Sequence, residues 1–267
     1  MNLKSDEARK YIKKQKVAKI KILAAQIFIF TGFLFLWEIL VSKEIINGFL
    51  VSSPSAIFNL LKQYIQTGEI YTHILISLYE TILGLLIGTF LGVIIAIILW
   101  WSKTLAKIMD PFLVVLNALP KTALAPIFII WAGTGIKGIV VVAVSISLIL
   151  TILSAYNYFK NVDEEKIKML KSFGATKSQI LTKLVIPSNI VNLVDIIKIN
   201  IGMSWVGVIM GEFIVSRAGI GYLVVYGSQV FKLDLVMMGV FILAIIAYLM
   251  YQIVNIIERL LTKKLGK

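Results

Sequence analysis

The sequence contains no cysteine and a single histidine, His73. The missing cysteines exclude disulfides, thiolate metal sites and a cysteine nucleophile. With only one histidine besides, neither a zinc site nor a histidine-based catalytic triad is expected. The phosphate-binding pattern Gly-x4-Gly-Lys-Ser/Thr is also missing. We therefore expect a protein that is not an enzyme, that binds no metal or cofactor of its own, and that does not itself hold a nucleotide in a phosphate-binding loop.

Charge is also scarce. Only 15% of the 267 residues are charged, 59% are hydrophobic, and the mean hydropathy is +0.92. Soluble domains carry about 25% charged residues and about 45–50% apolar ones. A soluble fold of this size has no use for so much apolar surface, whereas a lipid bilayer accommodates it. The composition predicts an integral membrane protein.

Six apolar stretches are long enough to cross a bilayer as helices, at a rise of about 1.5 Å per residue. The first could be a signal peptide, but it contains Trp37 and Glu38 and lacks a small-x-small cleavage site, which favours an uncleaved helix. The expected fold is all-α, with spans over Ile22–Val41, Ile74–Trp101, Pro111–Trp131, Ile139–Phe159, Ile190–Val215 and Leu235–Ile257.

The net charge of +13 could favour binding to nucleic acid or to the inner face of a membrane. The positions of the charges along the chain distinguish between these two partners. Of the 27 Lys and Arg residues, five lie in the gaps 42–70, 132–137 and 216–234, while 20 lie in residues 1–21, 102–110, 160–187 and 259–267. The positive-inside rule then places both termini in the cytoplasm and leaves nucleic acid without a role. We expect a basic cytoplasmic tail, 1–21, followed by a transmembrane domain, 22–267, with its core at 73–258.

A short amphipathic helix is expected between the first two spans. Ser52-Ser53-Pro54-Ser55 is a favourable helix start, and apolar residues recur at helical spacing through Ile65. This helix would lie on the outer surface, and a plain external loop is the alternative.

The longest cytoplasmic gap, 161–187, predicts two short helices. Asp163 can cap the first, Gly174 can end it in the left-handed conformation, and Pro187 would end the second, over 177–186, at the membrane surface. Two alternatives remain for the resulting knob: packing on the protein's own helices or lipid, or docking into a soluble partner. The apolar face would hold Ile167, Leu170 and Phe173.

The spacing in this gap resembles a known signature. Gly174, nine further residues and Leu184-Val185-Ile186-Pro187 are similar to the EAA motif of bacterial ABC-transporter permeases. The sequence also resembles the permeases of the subgroup that imports sulfonates, taurine and nitrate. The matching positions are 110–126, Trp131–Gly135, His73, Ser77, Gly84, Trp205, Glu212 and Gly219–Tyr222. Two departures stand out: the consensus Glu of the motif falls on Lys168, and the subgroup often has Arg where Glu80 stands.

This resemblance implies a type I importer permease in the inner membrane of a bacterium. Two copies would work with two ATPase subunits that bind ATP and Mg²⁺, and with an extracytoplasmic solute-binding protein. The 161–187 loop would dock into an ATPase cleft, so that ATP-driven closure tips the spanning helices. The docking residues implied are Glu165, Lys168, Leu170, Phe173, Gly174, Ala175 and Pro187.

Polar residues at membrane depth are costly and face the bundle interior or water. Asp195 and Lys198 could pair with each other or contact solute. Lys121 could attract an anion, hold a carboxylate or lie near the inner surface, and Pro120 and Pro126 would kink or break its span. Glu38 and Glu258, near the ends of spans, could snorkel or lie at the interface, and His73 is taken as a surface or capping residue. The candidates for the translocation path are Asn117, Lys121, Lys198, Ser204, Trp205 and Glu212.

The small and polar residues of the fifth span fit either close helix packing or a water-lined path. The expected solute is small and polar, such as a sulfonate, taurine or nitrate. The same machinery could import a pyrimidine or another vitamin precursor. A stand-alone secondary transporter and a membrane enzyme are the other classes considered, but we found no paired broken helices and no catalytic cluster in the sequence.

Overall fold

The computed structural model describes residues 6–264, and every regular element in that range is helical. Five helices are long, and short ones connect them. In chain order the elements are α1 (Asp6–Ser42), α2 (Gly48–Val51), α3 (Pro54–Thr67), α4 (Glu69–Trp101), α5 (Lys103–Ala118), α6 (Ala125–Ala132), α7 (Ile136–Lys160), α8 (Glu164–Ser172), α9 (Lys177–Ile180), a π-helical segment (Leu181–Val185), α10 (Ile186–Ser188), α11 (Ile190–Val215), α12 (Ile220–Gln229) and α13 (Leu233–Lys264).

Within residues 6–264, five helices are long and apolar enough to cross a membrane: α1, α4, α7, α11 and α13. They contain five of the six predicted spans. The remaining one, Pro111–Trp131, is not a single helix, because α5 ends at Ala118 and α6 begins only at Ala125. The expected break is confirmed. Leu119, before Pro120, is extended, as the residue before a proline tends to be, and Pro126 lies in the first turn of α6.

The two short helices nevertheless follow α7 along most of its length. Leu113 of α5 packs in one cluster with Ile152 of α7, towards the end of α7 that leads into residues 161–187. Ile129 of α6 packs with Val142, nearer the other end of α7. Together, α5 and α6 therefore take the place of the predicted third span as a discontinuous crossing.

The core of the bundle is the close packing of α4, α7 and α11. Glycines recur every four residues along α4 and meet small residues with the same spacing on α7, so the backbones approach closely. A methyl group added at Gly84 would lie 2.6 Å from the side chain of Ala143, and one at Gly92 would lie 2.5 Å from Thr151. The matched pairs are Gly84 with Ala143, Gly88 with Ser147, and Gly92 with Thr151.

A polar contact joins the same three helices. Asn200 of α11 is fully buried, and its amide nitrogen donates to Thr89 of α4 at 2.8 Å and to Thr151 of α7 at 2.7 Å. Of the two interpretations of polar residues in this span, packing therefore applies to Asn200.

The N-terminal part of the chain attaches to the bundle through aromatic contacts. Trp37 of α1 is buried against Phe241 of α13 and donates its indole N–H to the carbonyl of Ser52. The predicted helix after Ser53 is confirmed as α3, capped by the Ser53 hydroxyl. The predicted boundary between tail and first span is not a helix start, because α1 is continuous from Asp6 to Ser42. Residues 1–5 of that tail lie outside the described residues.

Candidate functional site

The first helix of the 161–187 loop, α8, is built as its sequence predicts. The Asp163 side chain accepts a hydrogen bond from the backbone N–H of Glu165 at 2.9 Å, which caps the helix. Glu164 and Glu165 lie in the first turn, where negative charge is favourable.

Gly174 ends this helix in the left-handed conformation, with φ of +78°. Its N–H donates to the Lys171 carbonyl at 2.9 Å, and the N–H of Ala175 donates to the Leu170 carbonyl at 3.0 Å. These bonds satisfy carbonyls that the helix end would leave unpaired. The predicted stop at Gly174 is confirmed.

The second half of the loop differs from its prediction. Thr176 and Gln179 form a reciprocal capping box that starts α9. Pro187, however, does not end the helical turns, which continue to Ser188 before Asn189 leads into α11. Pro187 has no N–H to donate. The segment just before it, Leu181–Val185, widens into a π-helical turn, and the N–H of Ile186 donates to the Leu181 carbonyl. The side-chain amide of Asn189 donates a hydrogen bond to the Val185 carbonyl at 2.9 Å.

The apolar residues of this loop divide into two groups. Ile167 and Leu170 are partly buried on a cluster that includes Phe159, so packing on the protein's own helices accounts for them. Phe173 does not share that face: its side chain is 80% exposed, and Met169 is 54% exposed. A groove of about 350 Å³ lies beside Phe173, lined by Leu170, Phe173, Gly174, Ala175, Gln179 and Lys183.

Four of the seven predicted docking residues therefore come together at this groove, namely Leu170, Phe173, Gly174 and Ala175. The other three, Glu165, Lys168 and Pro187, are exposed on the same loop but do not line it.

The sequence analysis missed the contact that fastens this loop to α4. The ammonium group of Lys177, at the start of α9, lies 5.9 Å and 5.4 Å from the ring centres of Trp100 and Trp101. It also donates to the Trp101 carbonyl at 2.5 Å, in the last turn of α4. Cation–π attraction and an unpaired helix-end carbonyl both favour a lysine there. In the sequence, the adjacent pair Trp100-Trp101 was the one indication of such a contact, and it does not identify which lysine binds there.

The predicted path residues do not form one continuous lining in a single chain. Lys121, in the break between α5 and α6, donates to the carbonyl of Asn117 at 3.2 Å. Trp205 lines an apolar cleft of about 470 Å³ between α11 and α13, which also reaches Thr122 of the break. Ser204 is fully buried beside it. The break and the middle of α11 are thus neighbours.

Lys198 is held by two carboxylates. Its ammonium group lies 3.2 Å from Asp195 on α11 and 2.5 Å from Glu258 on α13, and the Lys198 side chain is only 13% exposed. Of the two alternatives for Lys198, the pair with Asp195 is the one observed. Glu258 closes an ion pair between two helices, a contact that its place near the end of a span did not predict.

Glu212 lies at the opposite end of α11 and is 1% exposed. It accepts hydrogen bonds from the Ser77 hydroxyl and from the N–H groups of Gly221 and Tyr222 at the start of α12. His73 accepts from the N–H of Gly219 at 3.0 Å, in line with the capping role considered for it.

Comparison with known proteins covers most of the chain. The family described as "Binding-protein-dependent transport system inner membrane component" matches residues 88–267. A putative aliphatic sulfonates transport permease protein, SsuC of Bacillus subtilis, is 27% identical over 85% of this chain and 83% of its own length. A formylaminopyrimidine transport permease protein, ThiX of Halalkalibacterium halodurans, is 25% identical over 85% of this chain and 90% of its own.

A solved structure shows the same fold. One chain of the MetNI methionine ABC transporter, in inward-facing conformations, superposes with a TM-score of 0.59 at 18% identity. The match covers 69% of this chain and 94% of that one. The all-α membrane fold of a type I importer permease is thereby confirmed.

Proposed function

This chain belongs to the family of binding-protein-dependent transport system inner membrane components, and from that premise we propose how it works as an importer permease. It pairs with a second copy of itself, binds a separate cytoplasmic ATPase subunit, and receives solute from an extracytoplasmic binding protein. The single observation that carries the ATPase contact is the exposed Phe173 beside its groove.

A docking site needs an exposed apolar anchor on a rigid support, because large desolvated side chains dominate interface energies. Phe173 is such an anchor, and the helix stop at Gly174 sets its direction. Behind it, Ile167 and Leu170 pack on the bundle. A push on Phe173 is therefore passed to the spanning helices rather than absorbed by the loop.

Lys177 provides a second link. It joins the loop to the end of α4, and α4 packs closely on α7 through the glycine stripe. ATP and Mg²⁺ are bound by the partner subunit, whose closure moves the two loops of a dimer together. The wide apolar faces of α1 and α13 contact lipid, while the open cleft beside Trp205 faces the second copy.

The positive charges support an inner-membrane orientation with both termini and the loop in the cytoplasm. Cysteine introduced at Lys14 or Lys264 provides a direct test, since the chain has no cysteine of its own. A membrane-impermeant thiol reagent should label both sites only after the membrane is opened. Labelling of intact cells would reverse the orientation.

For the solute we propose a small polar anion of the sulfonate class. Support comes from the likeness to the sulfonate permease and from Lys121, a cation placed at the break beside the cleft. The formylaminopyrimidine relative supports the alternative, a pyrimidine precursor. The same machinery serves both, and the binding protein selects between them.

Co-purification from native membranes tests the assembly. The tagged chain should retain an ATPase subunit in near-equal amount. Replacing Phe173 with Ser should release it, while Lys171→Ser, an exposed position on α8 outside the groove, should retain it. The binding protein that accompanies the complex is then titrated with taurine, an alkanesulfonate, nitrate and a formylaminopyrimidine. A chain that purifies alone, in a detergent that preserves related complexes, would favour a secondary transporter instead.

A further inference from the structure

Two buried carboxyl groups meet at the end of the bundle opposite the 161–187 loop. Glu80 of α4 and Glu212 of α11 are each 1% exposed. Glu80 lies one turn after Ser77 on the same side of α4, and Ser77 donates a hydrogen bond to Glu212, so the two carboxyl groups are neighbours. Among the ion pairs of residues 6–264, none involves either carboxyl. Glu212 was a sequence-based candidate for the translocation path, but the function proposed above assigns no role to either carboxyl group.

The two carboxyls have different surroundings. Glu212 accepts from the Ser77 hydroxyl at 2.5 Å and from the N–H groups of Gly221 at 2.5 Å and Tyr222 at 3.3 Å. Ser77 in turn accepts from the N–H of Ile220 at 2.7 Å. These are the orphan donors of the first turn of α12, where a negative charge is favoured.

Glu80, by contrast, has one oxygen with no hydrogen-bond partner at all. A carboxylate is an acceptor only, so two ionised carboxylates in contact have no hydrogen to share, and they repel strongly where water is excluded. A contact between them is stable when one carries a proton and donates it to the other.

We propose that Glu80 and Glu212 form a binding site for a single proton, held on Glu80 and donated to the ionised Glu212, and that this proton fastens the start of α12 to α4 and α11. The ligand is thus a proton rather than a metal ion. Its loss leaves two adjacent negative charges, which repel each other. Glu212, together with the first turn of α12 that is hydrogen-bonded to it, is then pushed away from α4.

The other groups near the pair do not supply a substitute charge. Glu80 makes no ion pair within residues 6–264, and α7 contributes apolar Ile139 and Ala143 where it packs on α4 and α11. On α4, His73 contacts Gly219 and has Glu69 as its charged neighbour. Tyr222 of α12 contacts Glu212 only through its backbone.

Infrared spectroscopy of the purified full-length complex in lipid nanodiscs gives a direct test. The C=O stretch of a protonated carboxylic acid should be present at neutral pH and should be lost in Glu80→Gln. The variant Glu258→Gln, whose carboxyl is ion-paired to Lys198, should keep that band. A band unchanged by Glu80→Gln would overturn the proposal.

A second measurement follows α12 itself and does not depend on ATPase docking. A spin label at Ser228→Cys, on exposed Ser228 of α12, should become more mobile as the buffer is made alkaline. In Glu80→Gln the amide keeps a hydrogen to donate at every pH, so the mobility change should be lost. A label at Ser178→Cys, in the loop at the other end, controls for general unfolding. The same pH response with and without Glu80, or none in either, would refute the proposal.

Discussion

The ion pair between α11 and α13 offers the sharpest test of what Lys198 does. Its ammonium group is shared by Asp195 and Glu258, which also makes it a poor candidate for binding a passing solute. We predict that Lys198→Met impairs transport because it destabilises the assembled protein. A path-lining role predicts impaired transport in a protein that assembles normally.

The structure sets the expected size of the effect. Breaking a fully buried ion pair by removing one partner costs about 3–5 kcal/mol, because the other charge stays buried. Lys198 and Glu258 are 13% and 19% exposed, so some water remains. We therefore expect a loss of about 2–3 kcal/mol for Lys198→Met or Glu258→Met. Asp195 is 45% exposed, and its replacement by Asn should cost no more than about 1 kcal/mol.

The double variant is the decisive one. Lys198→Met with Glu258→Met leaves no unpaired charge, and two apolar side chains suit the membrane interior, so most of the lost stability should return. Stability is measured as the monodisperse fraction after stepped heating, and transport as solute uptake per assembled complex in proteoliposomes. The variant Asp195→Asn, on the same helix as Lys198, serves as the matched control.

Two results would refute this reasoning. If Lys198→Met were as stable as the unaltered chain, the pair would contribute nothing to assembly. If the double variant assembled fully and still failed to transport, Lys198 would act on the solute or on the motion of α11, and its place among the path residues would gain support.

Three further changes test the loop and the core. Gly174→Val should uncouple ATP hydrolysis from uptake, since a left-handed residue with a branched side chain costs about 1–2 kcal/mol of strain, whereas Gly174→Asn should stay coupled; equal coupling in both would remove the stop from the docking mechanism. Lys177→Met should lower uptake per ATP hydrolysed by removing cation–π contacts of about 0.5–1 kcal/mol each, with Lys171→Met, an exposed lysine outside the groove, as the control and an unchanged ratio as the contrary result. Gly88→Leu should reduce the assembled protein, because a side chain there meets Ser147 of α7 and overpacking costs about 1–3 kcal/mol or more; normal yield and heat stability would contradict the packing described.

Local features of this protein were predictable from the residues alone. The positions of α4, α7, α11 and α13 follow from long apolar runs, and the helix stop at Gly174 follows from glycine at low cost in the left-handed conformation. At Pro120 and Pro126 either a kink or a break was expected, and the sequence did not say which of the two occurs. A proline removes one backbone hydrogen bond of the helix. Whether the helix then bends or ends depends on how it packs against the neighbouring helices.

The four-residue repeat of Gly84, Gly88 and Gly92 could have been found in the sequence and was missed. Such a repeat predicts close approach to another helix. It does not name that helix, and the match to small residues on α7 became visible only once the two were packed.

What the sequence by itself determined is the apolar solvent, the five long spans and the concentration of positive charge in particular gaps between spans, because these depend on composition and on neighbours along the chain. The tertiary structure alone decided which polar groups meet. Lys198 contacts Glu258, which is 60 residues away in the sequence. Lys177 contacts Trp101, 76 residues away, and Ser77 contacts Glu212, 135 residues away. Each partnership depends on how whole helices are placed, and the cost of an unpaired polar group in a membrane says only that a partner is needed.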